Sequence, residues 1–267
     1  MTLQNESYVL ITGATSGIGY ELAKVFAAND YNLIIVARTS LRLEEVAEEL
    51  STEYGVDVIP IAKDLFNKQS PFQLYEEIKA RGLQVDILVN DAGQGLYGRF
   101  IDTDIYRELD IIQLNINAYV VLTKLFLQDM VSNQSGKILN VASIAGKVPG
   151  PFQSVYHGTK AFVHSFTEAV RAEIADTGVT ITSLLPGATD TDFFNKADMN
   201  SSKAVQDPDA KADPAKVAKD GFDALMANKD KVVSGLKNKL QTSLGNVTPD
   251  PVLAHQMSEQ QKPVSEE

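Results

Sequence analysis

The sequence predicts a single α/β domain in which a doubly wound parallel sheet carries helices on both faces. Short runs rich in β-branched residues alternate with helical stretches along the chain. Those runs are apolar throughout instead of at every second residue, and the first of them ends in a glycine cluster where a helix begins. Strands that are apolar on both faces must be covered on both, and the intervening helices supply right-handed crossovers.

The elements follow in order. A strand over 8–13 (YVLITG) leads to a helix over 20–29, a strand over 32–38 (NLIIVAR) to a helix over 41–54, and a strand over 56–65 to a helix over 71–81. VDILVND, 85–91, precedes a long helical region ending near 130, GKILNVAS, 136–143, precedes a helix over 156–176, and VTITSLLPG, 179–187, closes the sixth βα unit. This is a Rossmann-like arrangement, which holds its ligands at the carboxyl edge of the sheet. The stretch 195–214 is polar and small with two Asp-Pro steps, so 193–214 is expected to be a long loop and a candidate substrate lid. A helix over 214–228 and a short KVVSG segment follow. Residues 1–250 are expected to form one dinucleotide-binding and catalytic domain, and 251–267 a flexible tail.

At 267 residues, 44% hydrophobic and 22% charged, the chain can bury one sizeable core. A net charge of -11 argues against nucleic acid and anionic membrane surfaces as partners. The absence of cysteine excludes disulfides, thiolate catalysis and cysteine zinc sites. With His157, His164 and His255 as the only histidines and no acidic cluster around them, no metal site is expected. The opening MTLQNESYVLITG lacks a cationic leader and no apolar run reaches membrane-spanning length, so a cytoplasmic protein is expected.

The first strand runs into Thr12-Gly13-Ala14-Thr15-Ser16-Gly17-Ile18-Gly19. Gly13 permits the turn, Gly17 admits a pyrophosphate close to the backbone, Gly19 packs helix on strand, and the helix N-terminus offers free N–H groups to phosphate. At the end of the second strand, where NAD-binding folds place a carboxylate for the ribose 2′-hydroxyl, stand Arg38 and Thr39. An arginine there suits a 2′-phosphate, so NADP(H) is the expected cofactor, with NAD(H) also admitted. Asp64 and Leu65 end the third strand, the aspartate either meeting the adenine amino group or capping the next helix. Asn90, Ala92 and Gly93 end the fourth strand near the cofactor.

Tyr-x-x-x-Lys occurs three times, at Tyr20/Lys24, Tyr75/Lys79 and Tyr156/Lys160. Residues one helical turn apart share a face whatever their purpose, so the motif alone decides nothing. Only the third pair follows a strand that ends in a serine, Ser143, at the carboxyl edge. Hydride addition to a carbonyl leaves charge on oxygen, which needs a proton donor and a second hydrogen bond; Tyr156 and Ser143 suit those roles. An ordinary phenol titrates near pH ~10, and the adjacent Lys160 is expected to bring that down.

With these residues the chain closely resembles the short-chain dehydrogenase/reductase family, in its single-domain branch with the TGxxxGxG loop, over roughly 8–194. The resemblance implies that Ser143 orients the substrate oxygen, Tyr156 is the acid/base, and Lys160 both tunes the tyrosine and binds the nicotinamide ribose. It implies Asn115 as the fourth catalytic residue, favoured over Asn117, and Pro186, Gly187, Thr189 and Thr191 as the segment fixing the nicotinamide carboxamide. Asp91 stands where the family's Asn-Asn-Ala-Gly has its second asparagine. The expected partner is a small carbonyl or alcohol substrate, and the family is usually a homodimer or homotetramer through the helices before and after Ser143. A non-catalytic NADP-binding redox sensor and an epimerase or dehydratase are the alternatives; the former typically lacks the Tyr/Lys pair and the latter has different glycine spacing. The pocket wall, expected over 94–96, 144–153 and after 193, includes Pro149, Pro151, Phe152, Phe193 and Phe194, which suit a hydrophobic substrate body.

Overall fold

A computed structural model describes residues 7–205, 211–245 and 248–264. Strands β1 (Ser7–Thr12), β2 (Asn32–Ala37), β3 (Val58–Ala62), β4 (Gln84–Asn90), β5 (Gly136–Val141), β6 (Val179–Leu185) and β7 (Lys231–Val233) form one sheet in the order β3-β2-β1-β4-β5-β6-β7. Every pairing is parallel. The order reverses direction between β1 and β4, and at such a switch point the loops after the two strands diverge and leave a crevice at the carboxyl edge.

The central strands are apolar on both faces because each face is buried. One layer packs Val9, Ile11, Leu33, Ile35 and Val89 under α1 (Gly17–Ala27), α2 (Ser40–Tyr54) and α8 (Pro214–Met226). The other packs Leu10, Ile34, Leu88 and Ile138 under α3 (Ser70–Ala80) and α5 (Ala118–Ser132). Between α4 (Ile105–Ile112) and α5 lies a π-helical turn, Gln113–Asn117, so 105–132 is one continuous helix. No run of membrane-spanning length is expected from the sequence, whereas this 28-residue helix is long and apolar enough by those measures. Half of its most apolar window is buried within the protein, as befits a core helix.

α6 (Ser154–Glu173) carries the third Tyr/Lys pair. Where a long loop was expected, α7 (Phe193–Lys196) and a short helical turn, Lys203–Val205, form, with Ala197, Met199 and Ser202 buried; 206–210 lie outside the described residues. The expected tail is also different. The chain forms α9 (Leu236–Gly245) and then α10 (Asp250–Gln261), which a proline in its first turn initiates and which buries Leu253 and Gln261. Beyond α10, Val264 N–H donates to Ser201 O at 2.8 Å and Pro263 bridges Ser202, tying the C-terminal segment to the 193–205 region. α10 has no amphipathic stripe, so its sequence carried no periodic signal of helix.

Candidate active site

β1 delivers the glycine turn to the crevice. Gly13 and Gly17 have φ of +76° and +59°, a region that favours glycine. A Cβ on Gly19 would stand 2.5 Å from an Asp91 carboxylate oxygen and 2.6 Å from the Gly13 carbonyl oxygen, so loop and helix are flush against the end of β4. Thr12 Oγ1 accepts from the N–H groups of Asp91 and Ala92 at 3.0 and 3.1 Å, fixing the two loops together. Ser16 makes no side-chain cap on α1, which leaves first-turn N–H groups of the kind that bind phosphate. Thr191 sits over this turn: a Cβ on Gly17 would meet its methyl at 2.9 Å.

The cavity at this edge, about 1250 Å³, is lined by Gly13, Thr15, Ser16, Gly17, Ile18, Arg38, Thr39, Leu65, Ala92 and Gly93, and by Pro186, Gly187, Thr189 and Thr191. The cradle that glycine alone can form, the uncapped helix start and a cation at the end of β2 fit a dinucleotide phosphate. Arg38 lies 5.1 Å above the Phe66 ring, and among the described residues no carboxylate pairs with it. Phe66 was not foreseen, because only the pairing of β2 with β3 brings its turn beside Arg38. Asp64 is exposed and outside the lining, and its carboxylate accepts from Phe66 N–H at 3.1 Å, shaping the turn that follows β3.

Ser143, Tyr156 and Lys160 line the same cavity. Ser143 is oriented by Ala145 N–H, which donates to its Oγ at 3.1 Å, and by its own donation to Pro186 O at 3.3 Å. Lys160 Nζ donates to Val141 O at 2.8 Å and lies 5.9 Å from the centre of the Tyr156 ring. Burial pushes the Tyr156 phenol up to about 12, the Ser143 hydroxyl pulls it down, and the Asp91 charge raises it. Desolvation dominates, and Lys160 itself is held below its ordinary range by burial, against the pull of Asp91.

Asn115 is fully buried in the π-helical turn, outside the cavity lining. Its amide donates to Gln94 O at 2.8 Å and Thr159 Oγ1 at 3.0 Å, and its carbonyl accepts from Gln94 N–H at 3.0 Å. It nevertheless flanks the lysine: a Cβ on Gly93 would lie 3.3 Å from both Asn115 Oδ1 and Lys160 Nζ. Asn117 instead donates to Gln113 on its own helix. Asn90, expected beside the cofactor, is fully buried and joins β4 to α5 and β5 through Thr123 Oγ1 at 3.1 Å and Asn140 Oδ1 at 2.9 Å. It organises the sheet, and does not line the cavity. Gly19 also lies behind the lining.

The other two Tyr/Lys pairs are spent on surface contacts. Tyr20 hydrogen-bonds Glu49, and Tyr75 and Lys79 share Asp129 at 3.1 and 2.9 Å. Of the expected apolar wall, Phe193 and Phe194 line the cavity, with the Phe193 and Tyr156 ring centres 5.0 Å apart. Pro149, Pro151 and Phe152 do not line it; Phe152 turns away to stack on Tyr97. Their place is taken by Leu240, Leu244, Leu253 and Met257 from α9 and α10, distant residues that nothing in the local pattern marked.

A family model described as short chain dehydrogenase matches residues 7–202. The chain is 34% identical over 241 residues to dehydrogenase/reductase SDR family member 7B of Danio rerio, covering 86% of this chain and 78% of that protein. It is 36% identical to the NADP-dependent 3-hydroxy acid dehydrogenase of Schizosaccharomyces pombe, over 69% of this chain and 72% of the other. Among solved structures, a short-chain dehydrogenase from Sphingobium yanoikuyae in complex with NADPH superposes with a TM-score of 0.80 at 26% identity, covering 91% of this chain and 96% of that one. With its glycine turn, Ser143, Tyr156 and Lys160 gathered at one sheet edge, this chain belongs to the short-chain dehydrogenase/reductase family of oxidoreductases.

Proposed function

We propose that the chain is an NADP(H)-dependent oxidoreductase acting between a carbonyl and an alcohol carbon, with Tyr156 as the acid/base and NAD(H) as a weaker alternative cofactor. The observation that carries this reading is the placement of Ser143, Tyr156 and Lys160 in one cavity with the glycine turn and Arg38. Arg38 and Thr39, an NADP-dependent relative and a neighbour holding NADPH support the choice of cofactor. When bound, the nicotinamide supplies or accepts the hydride.

The chain's own residues do the rest. Uncapped N–H groups at the start of α1 receive the diphosphate, and Arg38 with Thr39 receives the 2′-phosphate. Pro186, Gly187, Thr189 and Thr191 hold the nicotinamide end. Ser143 Oγ hydrogen-bonds the substrate oxygen and Tyr156 Oη gives it a proton in reduction or takes one in oxidation. Lys160 keeps a positive charge beneath the phenol and contacts the nicotinamide ribose, while Asn115, packed against the same glycine, anchors the proton path to it. Exposed Ile105, Tyr106 and Leu109 on α4 and Phe162 on α6, two helices in contact, support a homo-oligomer formed through that face.

The test is NADPH oxidation across a carbonyl panel with wild-type and Tyr156→Phe protein. Turnover should fall about 10²–10⁴-fold in the variant with NADPH affinity retained. Equal turnover in both proteins defeats the assignment of Tyr156, and NADPH binding without turnover of any carbonyl or alcohol favours a redox sensor.

A further inference from the structure

The cavity, about 1250 Å³, extends from the cofactor-side residues to a lining supplied by the C-terminal segment, Leu240, Leu244, Leu253 and Met257 among it. α9 supplies the first two of these. At its start Asn238 packs on the Pro186-Gly187 turn, where a Cβ on Gly187 would lie 2.4 Å from the Asn238 amide. At its end Gly245 lies against Val148, beyond Ser143, with 3.5 Å between a Cβ there and the valine methyl. The helix therefore bridges the two loops that hold the reacting groups. α10 contributes Leu253 and Met257 to the lining, and its last residue is pinned where Tyr97 Oη and, at 3.3 Å, Ser202 Oγ both donate to Gln261 O.

Leu236, Leu240 and Leu244 recur every four residues and so share one face of α9. They are 84%, 64% and 57% exposed, and Leu240 and Leu244 also line the cavity, as do Met199, Leu253 and Met257. Leucines that are exposed and yet line the same cavity as Tyr156 form an apolar trough continuous with the site. Resting on the oxidoreductase reading above, we infer that the substrate is an elongated molecule with its carbonyl or alcohol toward one end and an unbranched or flat apolar body lying along Leu240 and Leu244. A small polar carbonyl would leave this trough wet and gain nothing from it.

The test measures kcat/KM with NADPH for straight-chain 2-ketones from butanone to 2-dodecanone, on wild-type and L240S/L244S proteins. Both leucines are exposed, so the double variant should fold, which NADPH affinity checks. Wild type should gain about two- to fourfold per added methylene, and the double variant less than half of that slope on a logarithmic scale. Calorimetric binding of 1-dodecanol, which needs no turnover, should weaken at least about fivefold in the variant, for two partly buried side chains. Turnover of short ketones with a flat length dependence overturns the inference and leaves the oxidoreductase reading intact. An unchanged slope accompanied by a loss of oligomer in the double variant also overturns it, and assigns the leucines to contact between copies. If no ketone is reduced, the wider carbonyl and alcohol panel decides the oxidoreductase reading, and dodecanol binding alone upholds or overturns the trough.

Discussion

The Asp91 carboxylate and the Lys160 ammonium oppose each other's desolvation: burial pushes the carboxyl up and the lysine down, and each charge draws the other back toward its ionised form. The Asp91 charge also raises the Tyr156 phenol. Replacing Asp91 by Asn removes a negative charge from both neighbours, so Lys160 should lose its proton, and Tyr156 its own, at lower pH. The pH profile of alcohol oxidation should move toward acid by about 1 unit. A variant of lower stability whose profile stays in place would make Asp91 a packing residue only.

A phenol raised to about 12 is protonated throughout the neutral range. The acid form needed for reduction is then fully present, and the base form needed for oxidation grows tenfold per pH unit below that value. Reduction should be flat from about pH 6 to 9 while oxidation climbs with a logarithmic slope near 1. Initial rates in both directions check this, and an oxidation plateau near neutral pH would mean that the bound cofactor reverses the effect of burial.

Arg38 stands over Phe66 with its guanidinium available to a phosphate. Arg38→Ala should raise the KM for NADPH about 10- to 100-fold, as expected for loss of charged hydrogen bonds, and leave that for NADH within about twofold. Parallel losses for both cofactors would place the 2′-phosphate elsewhere.

Gly19→Ala would drive a methyl to 2.6 Å from the Gly13 carbonyl oxygen, a backbone atom that cannot swing aside. The expected cost is about 1–3 kcal/mol, seen as a Tm lower by roughly 2–10 °C, together with weakened NADPH binding. A variant as stable as wild type would show that the loop relaxes freely.

Leu109→Glu on α4 places a charge within the exposed apolar face shared with α6. Sedimentation should show a smaller species than for wild type at the same concentration. A wild type that sediments as a monomer would overturn the proposed homo-oligomer, and an oligomer of unaltered mass in the variant would exclude this face.

Local pattern was enough for the first six strands and the helices between them, because burial on both faces writes itself as continuous apolar runs and a glycine turn is dictated by backbone sterics. It also singled out Tyr156 and Lys160 from two identical spacings, since only that pair follows a serine-ended strand. What composition within a window cannot carry is proximity between distant segments. Sheet order set Phe66 beneath Arg38, sent Asn90 into the sheet, and folded α9 and α10 back over the site. Burial around Tyr156 pushes its phenol up, an effect no sequence window carries, because desolvation depends on every atom that surrounds a group and not on its neighbours in the chain.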